Sequence, residues 1–377
     1  MDLGLSEEQA MLKTMARDFL TDRCPTALVK QMEEDERGFS AELWKEMVEL
    51  GWMGLVVPER YGGAGMTFLD LAIIMEEIGR ACLPGPFFST VILGGLTIMD
   101  SGNEEQKERF LPQIATGKGI FTLALTEADA RYKADSIKCK AMSDRDNYSI
   151  SGTKLFISDA HIADYIICVV RSDDQKSDGD GISMFIIDAK TPGIRCVPLK
   201  TMAGDKLFEV VFDQVSVPKE NLLGELNRVW GNVEKIIERA AVARCCEMVG
   251  GARKVLEMTV DYAKERVQFG RPIGSFQAIQ HHCANIAIDV EGSRLITYQA
   301  AWMLSEDLPC AKQVAMAKAW TSEACRRLVL LAHQVHGAIG FTMDHDLQLY
   351  TRHIKAAEVT FGDVHFHKEK VAEAMGL

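Results

Sequence analysis

The residues best suited to chemistry lie in one short stretch between two helical patterns, from Tyr262 to Gln277. Arg266 offers a planar guanidinium whose fork of donors suits a pyrophosphate. Phe269 and Gly270 would let a flat ligand approach the backbone closely, and Gln277 supplies an amide that can read the edge of a heterocycle. The stretch therefore indicates a binding site for such a ligand, the alternative being a helical hairpin with an ordinary surface arginine.

Two further motifs accompany this stretch. Gln334-Val-His-Gly-Ala-Ile-Gly-Phe341 lies one helix pair further on, and Thr126-Glu127 lies upstream in strand-like sequence. Together the three resemble the acyl-CoA dehydrogenase family of FAD flavoproteins, which carries Arg-x-x-Phe-Gly-x-x-Ile, Gln-x-x-Gly-Gly-x-Gly-Phe and an upstream Thr-Glu step. The resemblance runs from about residue 5 to about residue 371, and its specificity comes from the combination.

The resemblance implies a set of contacts with FAD. Thr126 is expected at the flavin pyrimidine ring. Lys154-Leu-Phe156-Ile-Ser158 resembles the family's Lys-x-Trp-Ile-Thr, in which the ring packs near the flavin and the hydroxyl bonds its edge near N5; a ring and a hydroxyl two residues apart share one side of a regular strand. The alternatives are a core phenylalanine and hydroxyls that bond their own backbone. The expected FAD contacts in the helical part are Arg266, Phe269, Gln277, Gln334, Gly337 and Ala338.

One loop departs from the family pattern. Counted without gaps from Thr126, the family's Gly-Ser-Asp falls on Arg131-Tyr132-Lys133. The Gly and Ser normally place donors on phosphate oxygens. Arg131 and Lys133 could replace those donors with charge, or could be solvated. An Arg-Tyr version of this loop is associated with the pimeloyl-CoA dehydrogenase-like branch, whose enzymes contain unequal subunits.

The position of the usual catalytic base is a second departure. Family members usually remove the α proton with the Glu of a Tyr-Glu-Gly-Thr motif, and that Glu falls on Phe361, followed by Gly362 and Asp363. The backbone N–H at 361 could still bond the thioester oxygen. A second branch carries its base on the first helix of the bundle, where this chain has Ala240, and the nearby Glu238 faces away. Neither usual base is present.

Two other acids are candidates for a relocated base. Glu247 lies seven residues after Ala240 and so on the same helical face, among apolar neighbours that suit a proton-accepting carboxylate. Its alternative is a surface acid that faces solvent or a partner subunit. Glu358, one turn before position 361, is the second candidate, with a simple pairing to Arg352 or Lys355 as its alternative.

Composition limits the class of protein. The chain has 377 residues, of which 47% are hydrophobic and 25% charged, enough for about two or three globular domains. A net charge of −12 argues against nucleic acid or an anionic membrane as partner. No apolar run approaches the length of about 18 residues that a membrane span needs. The acidic, amphipathic N-terminus resembles neither a signal nor a transit peptide.

The cysteines and histidines indicate no metal site. The ten cysteines lack CxxC or zinc-type spacing and are expected as buried, reduced thiols in a cytoplasmic protein. The nine histidines cluster toward the C-terminus without ligand spacing. His365 and His367 should point to different faces of a helix, and all nine are predicted to be surface or packing residues.

Periodicity predicts an α+β fold, mostly α. Residues 1–117 read as an N-terminal helical domain, with helices capped by Ser6, Ser40 and Thr67. Residues 118–225 contain short β-branched and aromatic runs, which predict an antiparallel β domain with an exposed loop at 171–181. Residues 226–377 give helices at about 228–264, 274–304, 307–336 and 344–374, a C-terminal four-helix bundle. The family resemblance implies the same fold.

The preferred hypothesis is a cytoplasmic FAD enzyme that oxidises an acyl-CoA thioester. The resemblance implies hydride transfer to flavin N5, reoxidation by an electron-transfer flavoprotein, and a homotetramer or a hetero-oligomer with a related subunit, in which FAD is shared across a dimer interface. One alternative is a largely structural subunit that helps to build a partner's FAD site. The other is a flavin monooxygenase or another non-dehydrogenase of the fold, since those also lack the base.

Overall fold

The first part of the chain is helical, as its periodicity predicts. The computed structural model describes residues 4–174 and 179–377. The α-helices of this part are α1 (Glu7–Arg23), α2 (Thr26–Glu34), α3 (Ala41–Glu49), α4 (Phe68–Ala81), α5 (Leu96–Ser101) and α6 (Glu104–Ala115). A π-helical segment, Phe88–Gly95, leads into α5. The sequence patterns do not predict the short helix α2.

Hydroxyl caps begin three of these helices at the predicted residues. The backbone N–H of Gln9 donates to Ser6 Oγ at 3.1 Å, and Ser40 caps α3 in the same way. Thr67 and Asp70 form a reciprocal capping box at the start of α4. Each cap satisfies a backbone donor that the helix itself cannot pair, which is why the three hydroxyls mark helix starts correctly.

The middle part is one twisted sheet. Its strands are β1 (Phe121–Ala124), β2 (Lys140–Asp144), β3 (Asn147–Ser158), β4 (Tyr165–Arg171), β5 (Ile182–Asp188), β6 (Ile194–Leu199), β7 (Leu207–Pro218) and β8 (Leu222–Leu223). The order is β6-β7-β3-β2-β4-β5-β8, with β1 beside β4. A core of apolar side chains fills its buried face, among them Ile150, Ile166, Phe185 and Val210.

The prediction of a purely antiparallel sheet is wrong at two pairings, both of which involve β4. Strand β1 runs parallel to β4, with Phe121 opposite Tyr165, and Lys140 of β2 also meets β4 in parallel register. Strands β2 and β3 lie between β1 and β4 in the chain. No hairpin therefore connects β1 to β4, and the two strands can pair in parallel. The residues on both sides of Gly152 belong to one strand, β3, which has a register shift at that glycine.

The C-terminal part is helical, with one more break than predicted. Its helices are α7 (Trp230–Glu265), α8 (Gln277–Ser305), α9 (Ala311–His336), α10 (Leu347–Val359) and α11 (Val364–Glu373). The single helix predicted over 344–374 is wrong, because Phe361 and Gly362 both adopt positive φ, 56° and 96°. Asp363 then caps α11 by accepting the N–H of Phe366.

The chain forms two compact units, and each unit combines separate stretches of the sequence. One combines Met1–Lys30, Thr67–Leu83 and Ala241–Leu377, and the other combines Gln31–Met66 and Pro84–Ala240. We call them the helical unit and the sheet unit. The division into 1–117, 118–225 and 226–377 follows the secondary structure and stays a prediction for domains.

Buried charges show why α1 and α4 belong to the helical unit. Glu76 and Glu77 of α4 are both almost fully buried. Lys13 of α1 lies 2.7 Å from Glu76, and Arg17 lies 2.7 Å from Glu77. The Tyr298 hydroxyl of α8 donates to Glu76 as well. Partners on α1 and α8 compensate the cost of burying these two carboxylates.

Each of the ten cysteines is a free thiol, and Cys82 and Cys168 are buried as expected, whereas Cys283 is half-buried. Within residues 4–174 and 179–377, no helix has both the length and the apolar character of a membrane span. The predicted exposed loop at 171–181 includes residues 175–178, which lie outside the described residues.

Candidate active site

Arg266 stands at the end of α7, directly before a tight hairpin. The strands Val267–Gln268 (β9) and Arg271–Pro272 (β10) pair antiparallel, and both turn residues, Phe269 and Gly270, have positive φ. The turn predicted at Gly270 is therefore present. Arg266 and Gln277 are exposed, and Phe269 is 91% exposed. No carboxylate of the described residues forms an ion pair with Arg266, so its guanidinium is available to an anionic ligand.

The second motif lies at the same end of the helical unit. The ring of Tyr262, one turn before Arg266, stacks on the ring of His336 with centroids 4.6 Å apart. Gln334 is exposed on the last turn of α9. Gly337 follows with φ 65° and ψ −145°, a conformation open to glycine almost alone, and no atom lies within 4 Å of where its β-carbon would be. The exposed Ala338 stands where the family carries a second glycine.

The sheet unit brings together the other three predicted FAD contacts. The N–H of Leu155 donates to the carbonyl of Thr126 at 2.8 Å, and Thr122 Oγ1 donates to the carbonyl of Ser158 at 2.6 Å. Phe156, between them, has φ 58° and is 53% exposed. A register shift at this point makes β3 irregular, so the spacing rule for a regular strand does not decide which way Phe156 and Ser158 face.

The loop at position 361 is held by two buried side chains that sequence reasoning missed. Phe361 is itself buried. Lys318 Nζ is fully buried and donates to three carbonyl oxygens around this loop, those of Ala357, Glu358 and Gly362. His367 Nε2 lies 2.9 Å from the carbonyl oxygen of Phe361, so this nitrogen carries the proton. The only sequence signal for Lys318 is a lone lysine in a run of small and apolar residues.

Burial lowers the pKa of both groups. It lowers the pKa of Lys318 to about 8, although three carbonyl acceptors match the three N–H bonds of an ammonium. It lowers the pKa of His367 to about 4, so the ring is neutral at pH 7. His365, two residues earlier, is exposed, which confirms that the pair faces two sides of α11.

The two candidate bases are both ion-paired. Glu247 Oε2 lies 2.6 Å from Arg244 on the same helix, and the Glu247 side chain is 14% exposed. The sequence neighbours of Glu247 are buried apolar residues, as expected, and the Arg244 guanidinium is an additional contact of the carboxylate. Glu358 is buried, and its Oε2 accepts from Lys355 at 3.0 Å, which confirms one of the two expected partners.

The loop that replaces the family's Gly-Ser-Asp carries its own counter-charges. Arg131 lies 3.1 Å from Asp129 and 3.6 Å from Asp135, and its side chain is half exposed. Ser136 Oγ bonds the carbonyls of Arg131 and Lys133 and so closes the loop. This arrangement favours the solvated alternative for Arg131, because two carboxylates already offset its charge.

Models of the acyl-CoA dehydrogenase N-terminal, middle and C-terminal domains match residues 6–118, 122–215 and 230–376. The chain belongs to the acyl-CoA dehydrogenase family. It is therefore an oxidoreductase that acts on acyl-CoA, and its cofactor is FAD.

Three similar proteins illustrate the family. "Probable acyl-CoA dehydrogenase YngJ" of Bacillus subtilis is 32% identical over 100% of both chains. "Caffeyl-CoA reductase-Etf complex subunit CarC" of Acetobacterium woodii is 32% identical over 91% of each. The structure of the ChsE4-ChsE5 complex from Mycobacterium tuberculosis contains a chain with a TM-score of 0.90 and 25% identity, covering 100% of this chain and 99% of that one.

The chemistry of the described residues fits FAD. The helical unit offers the guanidinium of Arg266, which has no carboxylate partner among those residues, and an open backbone at Gly337, two features that suit an anionic pyrophosphate. The sheet unit offers a half-exposed aromatic ring, Phe156, next to Thr126. The individual contacts of Arg266, Phe269, Gln277, Gln334, Gly337, Ala338, Thr126, Phe156 and Ser158 with FAD stay predictions.

The first prediction concerns cofactor retention. Arg266→Ala is expected to weaken FAD binding, since it removes charge-assisted hydrogen bonds worth about 1.5–3 kcal/mol each. FAD content after extensive dialysis measures the effect. Arg326→Ala is the control, because it deletes another exposed arginine, in the middle of α9. An Arg266→Ala protein that keeps its full FAD content would contradict the assignment.

The second prediction concerns pH. The pKa of His367 is lowered from 6.5 to about 4 in the folded protein, so between these values the unfolded chain binds a proton that the folded chain does not. Stability from this group is full above pH 6.5 and falls by about 3 kcal/mol as the pH drops to 4. His367→Gln, which keeps a donor for the Phe361 carbonyl, should flatten urea-unfolding stability over this range. His365→Gln should leave the profile unchanged, and equal slopes for all three proteins would contradict the prediction.

Proposed function

We propose that this chain is an FAD-dependent acyl-CoA dehydrogenase in which the usual catalytic glutamate is absent and the base has moved. The observation that carries the proposal is the loop at Phe361. Lys318 and His367 hold the left-handed backbone of this loop, while the side chain of Phe361 cannot accept a proton. A retained loop with a lost carboxylate supports retained thioester binding with proton removal assigned to another group.

Each residue has one role in the proposal. FAD, when bound, supplies the hydride acceptor at N5. Thr126 and Ser158 bind the cofactor in the sheet unit, while Arg266 and Gln334 bind the FAD of a neighbouring subunit. The backbone N–H of Phe361 donates to the thioester oxygen and so stabilises negative charge there as the substrate loses a proton.

A relocated carboxylate receives that proton. Glu247 is the first candidate and Glu358 the second, since both are largely buried and both are held by a neighbouring cation. A carboxylate at a site remote from the thioester would remove a proton from a carbon further along the acyl chain, or would hold a polar group at its end. The proposal therefore includes an acyl group that differs from a simple straight chain.

The proposed partners follow from the family and its relatives. An electron-transfer flavoprotein reoxidises the flavin, which the name of the Acetobacterium relative supports. The chain assembles as a homotetramer or as a hetero-oligomer with a related subunit. Ten free thiols support a reducing compartment, and we place the protein in the cytoplasm.

A second candidate function is a subunit that builds an FAD site for a partner. The favouring observations are a buried Phe361 at the usual base position and two candidate acids already engaged by Arg244 and Lys355. The likeness to a chain of the ChsE4-ChsE5 complex also supports a mixed assembly, as does the Arg131-Tyr132 loop associated with the pimeloyl-CoA dehydrogenase-like branch.

One spectroscopic experiment separates these functions. The purified chain is examined for flavin content, then mixed anaerobically with straight-chain, cyclic and ω-carboxyl acyl-CoA thioesters. About one flavin per subunit that is bleached by a thioester supports the proposed dehydrogenase. A flavin-free chain that acquires flavin only with a related subunit supports the second candidate. Reduced flavin that reacts rapidly with oxygen indicates a flavin monooxygenase instead.

A further inference from the structure

A buried ion pair lies in the sheet unit, next in sequence to the predicted flavin contacts. Lys154 of β3 is fully buried, and its Nζ lies 2.8 Å from Glu127 Oε1. The same ammonium donates to the carbonyl of Leu125 at 3.1 Å. Glu127 is 8% exposed. The pair therefore joins the end of β1 to the middle of β3.

The carboxylate also fixes a third segment. The backbone N–H of Lys138 donates to Glu127 Oε2 at 2.9 Å, and that of Cys139 donates to Oε1 at 3.0 Å. Glu127 thus closes the loop between β1 and β2 onto β3. With these bonds the carboxylate has a full set of donors, which is the condition under which a buried charge is tolerated.

Net stability alone does not account for such a pair. Replacing a buried ion pair by apolar side chains of similar volume is often neutral or stabilising, whereas removing one partner is strongly destabilising. What the Lys154–Glu127 pair defines is geometry. Its ammonium meets acceptors that follow β1, and its carboxylate meets donors on β3 and on the segment that leads into β2, so the pair as a whole joins three segments. Its role is therefore to fix the conformation of the neighbouring residues.

Those neighbours are the residues predicted to contact flavin. Thr126 directly precedes Glu127, and its carbonyl accepts the N–H of Leu155 at 2.8 Å. Phe156 follows two residues after Lys154, within the register shift of β3, and has φ 58°. A non-glycine residue in this conformation costs on the order of 1 kcal/mol or more and persists only where the surroundings hold it.

We propose that the buried Lys154–Glu127 ion pair is a positioning device that holds Thr126 and the Phe156 bulge in the conformation that receives the flavin. The inference rests on the proposed roles of Thr126 and Phe156 in FAD binding. Neither Lys154 nor Glu127 need touch the cofactor. Lys154 and Glu127 are positioning residues, and their effect on FAD is transmitted through the Leu155–Thr126 hydrogen bond.

The same sheet offers a matched control. Lys140 of β2 lies 2.5 Å from Asp174, and the two side chains are 54% and 56% exposed. An exposed pair of this kind contributes little to stability and can rearrange freely. Lys140→Met therefore removes one lysine ion pair from the sheet unit without disturbing the buried network.

The first arm of the test uses the full chain without FAD. Hydrogen exchange is measured for peptides covering 126–139 and 154–158 in the parent, Lys154→Met, Lys140→Met and the double variant Lys154→Met/Glu127→Leu. Faster exchange in both segments is expected for Lys154→Met and for the double variant, but not for Lys140→Met. Exchange that remains at the parent level in the double variant overturns the proposal, whether or not the isolated chain retains FAD.

The second arm separates position from stability. The double variant replaces the pair by apolar groups and is expected to recover the unfolding midpoint of the FAD-free parent, while FAD affinity by fluorescence titration stays roughly tenfold or more weaker. Recovery of both would overturn the inference. Glu127→Gln, which keeps shape and one acceptor, replaces Lys154→Met if that variant does not fold. A parent that binds no FAD contradicts the proposed function and leaves the exchange result to decide the inference.

Discussion

Glu247→Gln is expected to slow flavin reduction by the acyl-CoA substrate roughly several hundredfold while FAD remains bound. Glutamine keeps nearly the size of glutamate but cannot accept a proton. The position of Glu247 is well defined, because Arg244 lies 2.6 Å from its carboxylate and a β-carbon on Gly79 of α4 would lie only 2.1 Å from its backbone oxygen. A carboxylate fixed in this way is held in one place, which a general base needs in order to meet the substrate proton.

Two variants accompany this measurement. Glu358→Gln tests the second candidate under the same conditions, and a loss in that variant alone would move the assignment to Glu358. Glu257→Gln is the matched control, since Glu257 is another α7 carboxylate paired with an arginine, Arg80 at 2.6 Å. Stopped-flow absorbance of the flavin band gives the rate for each protein. Near-normal rates in both candidate variants would discard the relocated base and favour the FAD-site-building subunit.

Much of the fold could be predicted from local signals in the sequence. The caps at Ser6 and Thr67 are correct because a hydroxyl that pairs a free backbone donor acts within three residues of itself. The long helices α7, α8 and α9 were predictable because the apolar period of a helix persists over many turns. The parallel pairing of β1 with β4 was not predictable in this way, since it depends on a partner about forty residues away.

The motifs of the candidate site could be predicted from the sequence, but the buried side chains that support them could not. Lys318 meets carbonyls 39 to 44 residues later in the chain, and Lys154 meets a carboxylate 27 residues earlier. Neither spacing has a periodic signature. The helix break at Phe361 escaped prediction because the apolar pattern continues through it, and only the Lys318 and His367 bonds reveal why the backbone turns there.

Phe361→Glu is expected to raise the rate of flavin reduction by straight-chain acyl-CoA thioesters about a hundredfold or more over the parent, the lower range of general-base effects. The loop already has a left-handed backbone at this position, because Phe361 has φ 56° and Gly362 has φ 96°. Lys318 and His367 bond backbone carbonyls of the loop, so these hydrogen bonds do not depend on the side chain at 361. A new carboxylate would therefore enter an existing backbone conformation.

Phe361→Gln is the control for this gain, since it introduces a polar side chain of the same length without a proton acceptor of comparable strength. FAD content and circular dichroism of all three proteins are compared first, because a buried charge at 361 destabilises the fold unless it is protonated or paired. Rates are then measured from pH 5 to 9. A rate that rises with pH to a plateau in Phe361→Glu alone identifies the carboxylate as the base. A folded, FAD-bound Phe361→Glu protein no faster than Phe361→Gln, across straight-chain and cyclic thioesters, would show that the thioester does not reach this loop and would favour the partner-subunit function.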